Sequence, residues 1–208
     1  DLDDTLVDTS ESYDRTVKDM VEKYSGEKMR RKELMDLRLE GGFNDDWEAT
    51  AELLNRRGVE IFLDKVVEES RIHYLQIARK NEELVVDTEM LKQLGKRYRL
   101  FILTGRYRSE YEPVWGELDN VFESVYCVDD FDLEKPKPSG DMLATIMAKN
   151  NIQNAAYIGN SIDDMQAAQA AGLRAIGVTS NMEAKDLKES GAEIICSQIN
   201  ELAGVFRS

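Results

Sequence analysis

Cysteine, proline and histidine are scarce in this 208-residue chain, with two, three and one respectively. Cys127 and Cys196 each end a short apolar run and lie far apart in sequence. They form no disulfide framework, and buried free thiols in a reducing, cytoplasmic setting are expected. No apolar run approaches the length that crosses a bilayer, and no signal-peptide pattern is present. Positive charge is also short: 27 Lys and Arg stand against 41 Asp and Glu, a formal charge of −14. This argues against nucleic acid and an anionic membrane surface as partners. An anionic substrate must then be held by local positive charge and a metal. There are no repeats or low-complexity tracts. A 42% hydrophobic share with 33% charged residues is that of a soluble globular protein with a proper core.

What is there begins with Asp1-Leu2-Asp3-Asp4-Thr5-Leu6-Val7-Asp8. In an extended segment Asp1 and Asp3 point one way and Leu2 the other. Two carboxylates on one side of a strand end repel unless a cation or a proton lies between them. A metal-bound nucleophile beside a general acid/base needs that arrangement; a solvated acidic segment is the plainer alternative. A strand-end carboxylate also calls for a strand before it, so an apolar segment upstream of Asp1 is expected.

From Glu11 to about Asn81 the pattern is helical. Tyr13, Val17, Met20, Val21 and Tyr24 recur at helical spacing, and Gly26 ends that helix. Leu34, Met35 and Leu37 mark a second helix ending at Gly41-Gly42. Asp45 starts a third, with Glu48 three residues on and Trp47, Ala51 and Leu54 as its stripe. Phe62, Val66, Ser70, His73 and Ile77 mark a fourth. On that stripe the sole histidine packs rather than catalyses. Beyond Val86, helices alternate with short apolar strands near Leu100–Leu103, Ser124–Val128, Ala155–Ile158, Ala175–Val178 and Glu193–Cys196. The fold class is therefore α/β: a Rossmann-like parallel sheet with helices on both faces and an all-helical insertion. Residues 1–10 and 87–208 form the core and 11–86 the insertion. Ligands in such sheets bind beyond the carboxyl ends of the strands.

Three further signals lie at that edge. Thr104-Gly105 offers a hydroxyl and an amide to a phosphate oxygen, or is an ordinary turn. Lys135-Pro136-Lys137-Pro138 offers a stiffened lysine able to neutralise developing charge, or is a surface loop, with Ser139 capping the next helix. Gly159-Asn160-Ser161-Ile162-Asp163-Asp164 offers hard oxygens suited to Mg²⁺, or is a capped helix start.

In this order the four motifs resemble the haloacid dehalogenase superfamily, and within it phosphatases with a helical cap between the first and second motifs, of phosphoglycolate-phosphatase-like kind. The resemblance covers essentially the whole chain. It implies Asp1 as nucleophile forming an aspartyl-phosphate, and Asp3 as general acid/base. It implies Thr104, Gly105 and Lys135 as the phosphate cradle. Mg²⁺ is implied on Asp1, the Asp3 carbonyl, Asn160 and Asp164. Asn160 departs from the family, whose fourth motif has an acid there. Asp164, aided by Asp163, is expected to supply the missing charge.

Gly42, Phe43 and Asn44 are candidates for substrate specificity, against a plain interhelical turn. Arg106 is a further candidate, against a surface salt bridge. The expected activity is Mg²⁺-dependent hydrolysis of a small phosphorylated metabolite. The alternatives are a phosphomutase on the same fold, or a phosphate-binding regulatory protein with a degenerate metal site. A dehalogenase and a receiver-type domain fit less well: the Asp3 and Thr5 pattern suits phosphate chemistry, and the chain is long with a helical insertion.

Overall fold

The computed structural model describes residues 1–40, 43 and 45–206, with the Leu39 side chain outside that description. The chain divides into two compact units: Asp1–Asp8 together with the chain from Leu84 onward, and Thr9–Glu83.

The first unit carries strands β1 (Val7–Asp8), β2 (Glu83–Leu84, at the boundary), β3 (Phe101–Leu103), β4 (Ser124–Tyr126), β5 (Ala156–Gly159), β6 (Arg174–Val178) and β7 (Ile194–Cys196). All the strand pairs with a defined register are parallel. Phe101 sits opposite Ser124, Ile158 opposite Ile176, and Val178 opposite Cys196. The helices between them are α5 (Thr88–Gly95), α6 (Arg108–Trp115), α7 (Asp141–Lys149), α8 (Ile162–Ala170), α9 (Ala184–Glu189) and α10 (Leu202–Val205). This is the α/β class read from the sequence.

Successive strand residues feed opposite faces, as the pleat requires. Ile102, Val125, Ile176 and Val178 enter one apolar cluster, with Leu91 of α5 and Tyr111 and Trp115 of α6. Leu103, Tyr126, Ala175 and Ile195 enter another, with Ile146 of α7, Met165 of α8 and Leu187 of α9. A strand buried on both sides can carry no polar alternation, which explains its apolar run. Both cysteines are buried and free.

The second unit is helical: α1 (Tyr13–Ser25), α2 (Arg31–Glu40), α3 (Asp46–Asn55) and α4 (Leu63–Asn81). Gly26 ends α1 at φ 71°, and its amide donates to the Glu22 carbonyl at 3.0 Å. Asp45 caps α3, its carboxylate accepting from the amides of Trp47 (2.8 Å) and Glu48 (3.0 Å). Val17, Val21, Leu34, Leu37, Leu53, Leu54 and Val66 form the core. Each such side chain contributes about 1.5–3 kcal/mol on burial.

The stripe of α4 differs from the one expected. Its buried residues are Val66, Ser70, Tyr74 and Ala78, while Phe62 is 86% exposed. A strict four-residue step keeps one face inward, and Tyr74 takes the place given to His73 because its ring stacks on Tyr13 at 4.3 Å. His73 instead meets Asp19 at 2.9 Å. Trp47 completes the aromatic group, 5.6 Å from Tyr13. Phe43 is half-buried against this core, whereas Gly42 and Asn44 lie outside the described residues.

Candidate functional site

Asp1 lies beside the carboxyl end of β5, its main-chain nitrogen donating to the Ile158 carbonyl at 2.9 Å. Leu2 points away into the core and is fully buried. The Leu2 carbonyl accepts from the amides of Thr5 (3.2 Å), Leu6 (2.8 Å) and Val7 (3.1 Å), turning the chain sharply. Asp4 takes φ 52° in that turn. Its conformation is held from β6's following loop: Ser180 Oγ donates to the Asp4 carbonyl, and Asn181 Nδ2 donates to Asp4 Oδ2 at 2.8 Å.

Lys137 occupies the centre. Its ammonium donates to Asp1 Oδ1 (2.8 Å), Asp164 Oδ1 (2.7 Å) and the Tyr157 hydroxyl (3.3 Å), which uses all three of its hydrogens. Tyr157 in turn donates to the Leu103 carbonyl at 3.2 Å. Burial pulls the Lys137 ammonium down, but the Asp164 carboxylate outweighs it and holds the group above the ordinary lysine value. Burial pushes Asp164 up, and Lys137 reverses this to leave it below the usual carboxylate range.

The lysine is a correction to the sequence reading. Lys135 is exposed, and only its amide is placed, donating to Asp141 Oδ2 at 3.3 Å. Both lysines precede a proline, and two residues apart in an extended segment they share a side. Only the path of the loop into α7 separates them. The N-cap of α7 is Gly140 rather than the expected Ser139, whose Oγ accepts from the Asp141 amide at 3.2 Å from one position earlier.

The Asp164 carboxylate, expected from the sequence among the metal ligands, is turned toward hydrogen-bond donors. Oδ1 takes Lys137, and Oδ2 takes the Asn160 amide (3.2 Å), the Ser161 amide (3.1 Å) and Ser161 Oγ (2.7 Å). Ser161 Oγ also accepts from the Asp164 amide at 3.1 Å, so the two residues cap α8 reciprocally. Gly159 is required here: a Cβ on it would lie 2.4 Å from Asp164 Cγ. Asp163 Oδ2 is buried without a hydrogen-bond partner, and burial raises that carboxyl above its usual range.

Asp3 is held from β3's end. Its Oδ1 accepts from Arg106 Nε (2.8 Å) and Nη2, and its Oδ2 accepts from Thr104 Oγ1 at 3.2 Å. Thr104 is fully buried and also accepts the Arg106 amide at 3.1 Å. Gly105 is exposed beside them. Arg106 is only 2% exposed, so its salt bridge is not a surface one. Asn160 completes the group. One end of its amide lies 3.3 Å from Asp1 Oδ2, 3.1 Å from the Asp3 carbonyl oxygen and 3.1 Å from Thr5 Oγ1. The other end faces Asn181.

Thus Asp1, Asp3, Thr104, Asn160 and Asp164 converge, as do Arg106 and the unforeseen Lys137, Tyr157, Thr5 and Asn181. Thr5 stood in the first motif; Tyr157 and Asn181 left no signal in the sequence beyond their places at or after strand ends. Among the described residues, no cluster of three or more His, Cys, Asp or Glu side chains is arranged to hold a metal ion. The Asn160 amide end instead meets both Asp1 Oδ2 and the Asp3 carbonyl oxygen, and carbonyl and amide oxygens are hard donors of the kind Mg²⁺ accepts.

A parallel α/β unit with an aspartate pair, a buried lysine and a hydroxyl at the carboxyl ends of its strands defines a class of hydrolase built for anionic substrates. Residues 1–178 match the family described as haloacid dehalogenase-like hydrolase, and the chain belongs to that family. A Caldanaerobacter subterraneus protein named as a pyrophosphatase, PpaX, is 23% identical over 178 residues, 86% of this chain and 79% of its own. A Haemophilus somnus structure described as a predicted phosphoglycolate phosphatase superposes with a TM-score of 0.82 at 16% identity, covering 99% of this chain and 95% of that one. A Thermotoga maritima structure described as a β-phosphoglucomutase does so with a TM-score of 0.76 at 18% identity, covering 99% and 95%. At these identities the structural likeness speaks to the fold.

Proposed function

We propose that the protein is a Mg²⁺-dependent phosphatase that hydrolyses a small phosphorylated metabolite through an aspartyl-phosphate. The observation that carries this is Lys137 spanning Asp1 and Asp164 at 2.8 and 2.7 Å, with Asp3 held by Thr104 and Arg106 on the neighbouring strand end. The names of the relatives support the phosphate chemistry. The helical unit takes the part of the cap in this reading.

Asp1 attacks phosphorus with a carboxylate oxygen, and the phosphorus–oxygen bond to the leaving alcohol breaks. Asp3 gives the departing oxygen its proton. Asp3 then removes a proton from water, which attacks the acyl phosphate and frees inorganic phosphate and Asp1. In the orientation seen, Asp3 accepts from Arg106 and Thr104. Acid/base help of this kind is worth about 10²–10⁴ in rate. Lys137 donates to Asp1 Oδ1 and offers positive charge where the phosphoryl group carries negative. Asp164 and Tyr157 position that lysine.

Asp1, the Asp3 carbonyl and the Asn160 amide oxygen are the residues to hold Mg²⁺. When bound, it supplies charge that offsets the phosphoryl oxygens. One carboxylate among three donors is a weak set.

The test is hydrolysis of p-nitrophenyl phosphate and a panel of phosphorylated metabolites, in Mg²⁺ and in EDTA, with Asp1→Asn alongside. Mg²⁺-dependent release of phosphate that Asp1→Asn lowers by about 10³-fold or more is the expected result. Full activity in Asp1→Asn ends the proposal. No turnover, with tight reversible binding of a phosphorylated ligand, replaces it with the binding protein that Asn160 would suit.

A further inference from the structure

Asp4 is a non-glycine residue in the left-handed region, at φ 52°. A side chain disfavours that conformation, although aspartate and asparagine tolerate it best, so the surroundings must hold it. The hold comes from the short loop between β6 and α9. Thr179 opens that loop with its amide on the Cys196 carbonyl at 3.0 Å, and Glu183 closes it as the N-cap of α9. Between those fixed ends, Ser180 Oγ donates to the Asp4 carbonyl and Asn181 Nδ2 donates to Asp4 Oδ2 at 2.8 Å. Asp4 is thus gripped by its main chain and by its side chain from one loop. The consequence falls on the next residue. The turn at Asp4 brings Thr5 back over Asp1, where its hydroxyl meets Asp1 Oδ2 and the Asn160 amide, both at 3.1 Å. Lys137 takes the other oxygen, Asp1 Oδ1, at 2.8 Å. The two oxygens of Asp1 are therefore set from opposite sides, and the Thr5 side depends on the turn.

We infer that Asn181, 177 residues away from Asp4 in sequence, is a positioning residue for Asp1. It holds Asp4 in the left-handed turn, and the turn sets the Thr5 hydroxyl that orients the Asp1 carboxylate. Ser180 fixes the Asp4 carbonyl but not its side chain. In the absence of Asn181 the Asp4 backbone relaxes toward ordinary negative φ, and Thr5 moves off Asp1. Misalignment of a nucleophile lowers kcat and leaves substrate binding nearly untouched. Glycine at position 4 adopts φ 52° readily and needs no tether. The inference deepens the phosphatase reading and rests on it, while one of its two measurements needs no turnover.

The experiment compares parent, Asn181→Ala, Asp4→Gly and the double variant, by steady-state phosphate release and by melting temperature. Asn181→Ala should lower kcat about tenfold with KM within about twofold. Adding Asp4→Gly should restore the Asn181→Ala enzyme to within about threefold of the parent kcat. In melting, Asn181→Ala should lower the midpoint by about 2–4 °C in the parent and by less than about 1 °C when position 4 is glycine. A parent kcat in Asn181→Ala overturns the inference, as does a loss that glycine at position 4 leaves unrepaired. Equal melting losses in the two backgrounds overturn it as well, whether or not the protein turns over. A parent that releases phosphate from no phosphorylated substrate overturns the phosphatase reading instead, and the melting cycle still decides the tether.

Discussion

Lys137 shows how little separates a side chain inside the candidate site from a bystander. It lies two residues from Lys135 in a motif that treats them alike, yet one is wrapped by three oxygens and the other is exposed. Lys137→Ala should lower kcat by about 10²–10³, the scale of losing one preorganised donor to developing charge. Lys135→Ala should leave kcat within about twofold, as exposed substitutions do. Steady-state kinetics on both variants decides between them. The same ion pair sets a pH limit. Asp164 is held below its usual value, so its contribution is present above about pH 4 and lost as pH falls through its folded value. Lys137 is held above its usual value, so its part is present below about pH 10 and lost on the alkaline side. Between those limits the pair is constant. Asp164→Asn should flatten the fall in melting temperature between about pH 5 and 3. A parent and variant with parallel acid limbs would contradict the pairing.

At the scale of elements, each site residue is placed by how a strand ends or a helix begins. Thr104 leaves β3 with its amide on the Tyr126 carbonyl at 3.0 Å, which tethers the motif to β4. Ser161 and Asp164 start α8 with a reciprocal cap, and the same Asp164 carboxylate orients Lys137. Helix capping and site assembly therefore share one side chain. In the helical unit Asp45 has the simpler task of capping α3. Asp45→Ala should cost about 1 kcal/mol. For a chain of this length that lowers the melting temperature by about 2–4 °C, measurable by calorimetry. An unchanged melting temperature would show that the cap does not hold α3 in solution.

Over the whole molecule the relevant quantity is the charge of −14. On the proposed reading a phosphorylated substrate approaches against that field, and the positive charge of the site is local, on Lys137 and Arg106. Salt screens the distant charges before the close ones, since the Debye length is about 10 Å at 0.1 M. The KM for a dianionic substrate should therefore fall as ionic strength rises from about 0.02 to 0.2 M. A KM that rises instead would mean that the local cations dominate the approach.

The sequence by itself determined the α/β class, because strands buried on two faces must be apolar throughout and short. It also marked which strand ends bear polar residues, and the departure at Asn160. It placed the ends of α1 and the start of α3, where Gly26 and Asp45 act on their immediate neighbours. The inward face of α4 was not legible, because Tyr74 and His73 are adjacent and only the stacking on Tyr13 selects one. Tertiary structure alone decided which lysine enters the site, since residues 135 and 137 share their side and their proline neighbours. It surrounded the Asp164 carboxylate with donors from Lys137, Asn160 and Ser161. It turned Arg106 inward onto Asp3, more than a hundred residues away in sequence. Those choices depend on partners that meet only when the strands lie side by side.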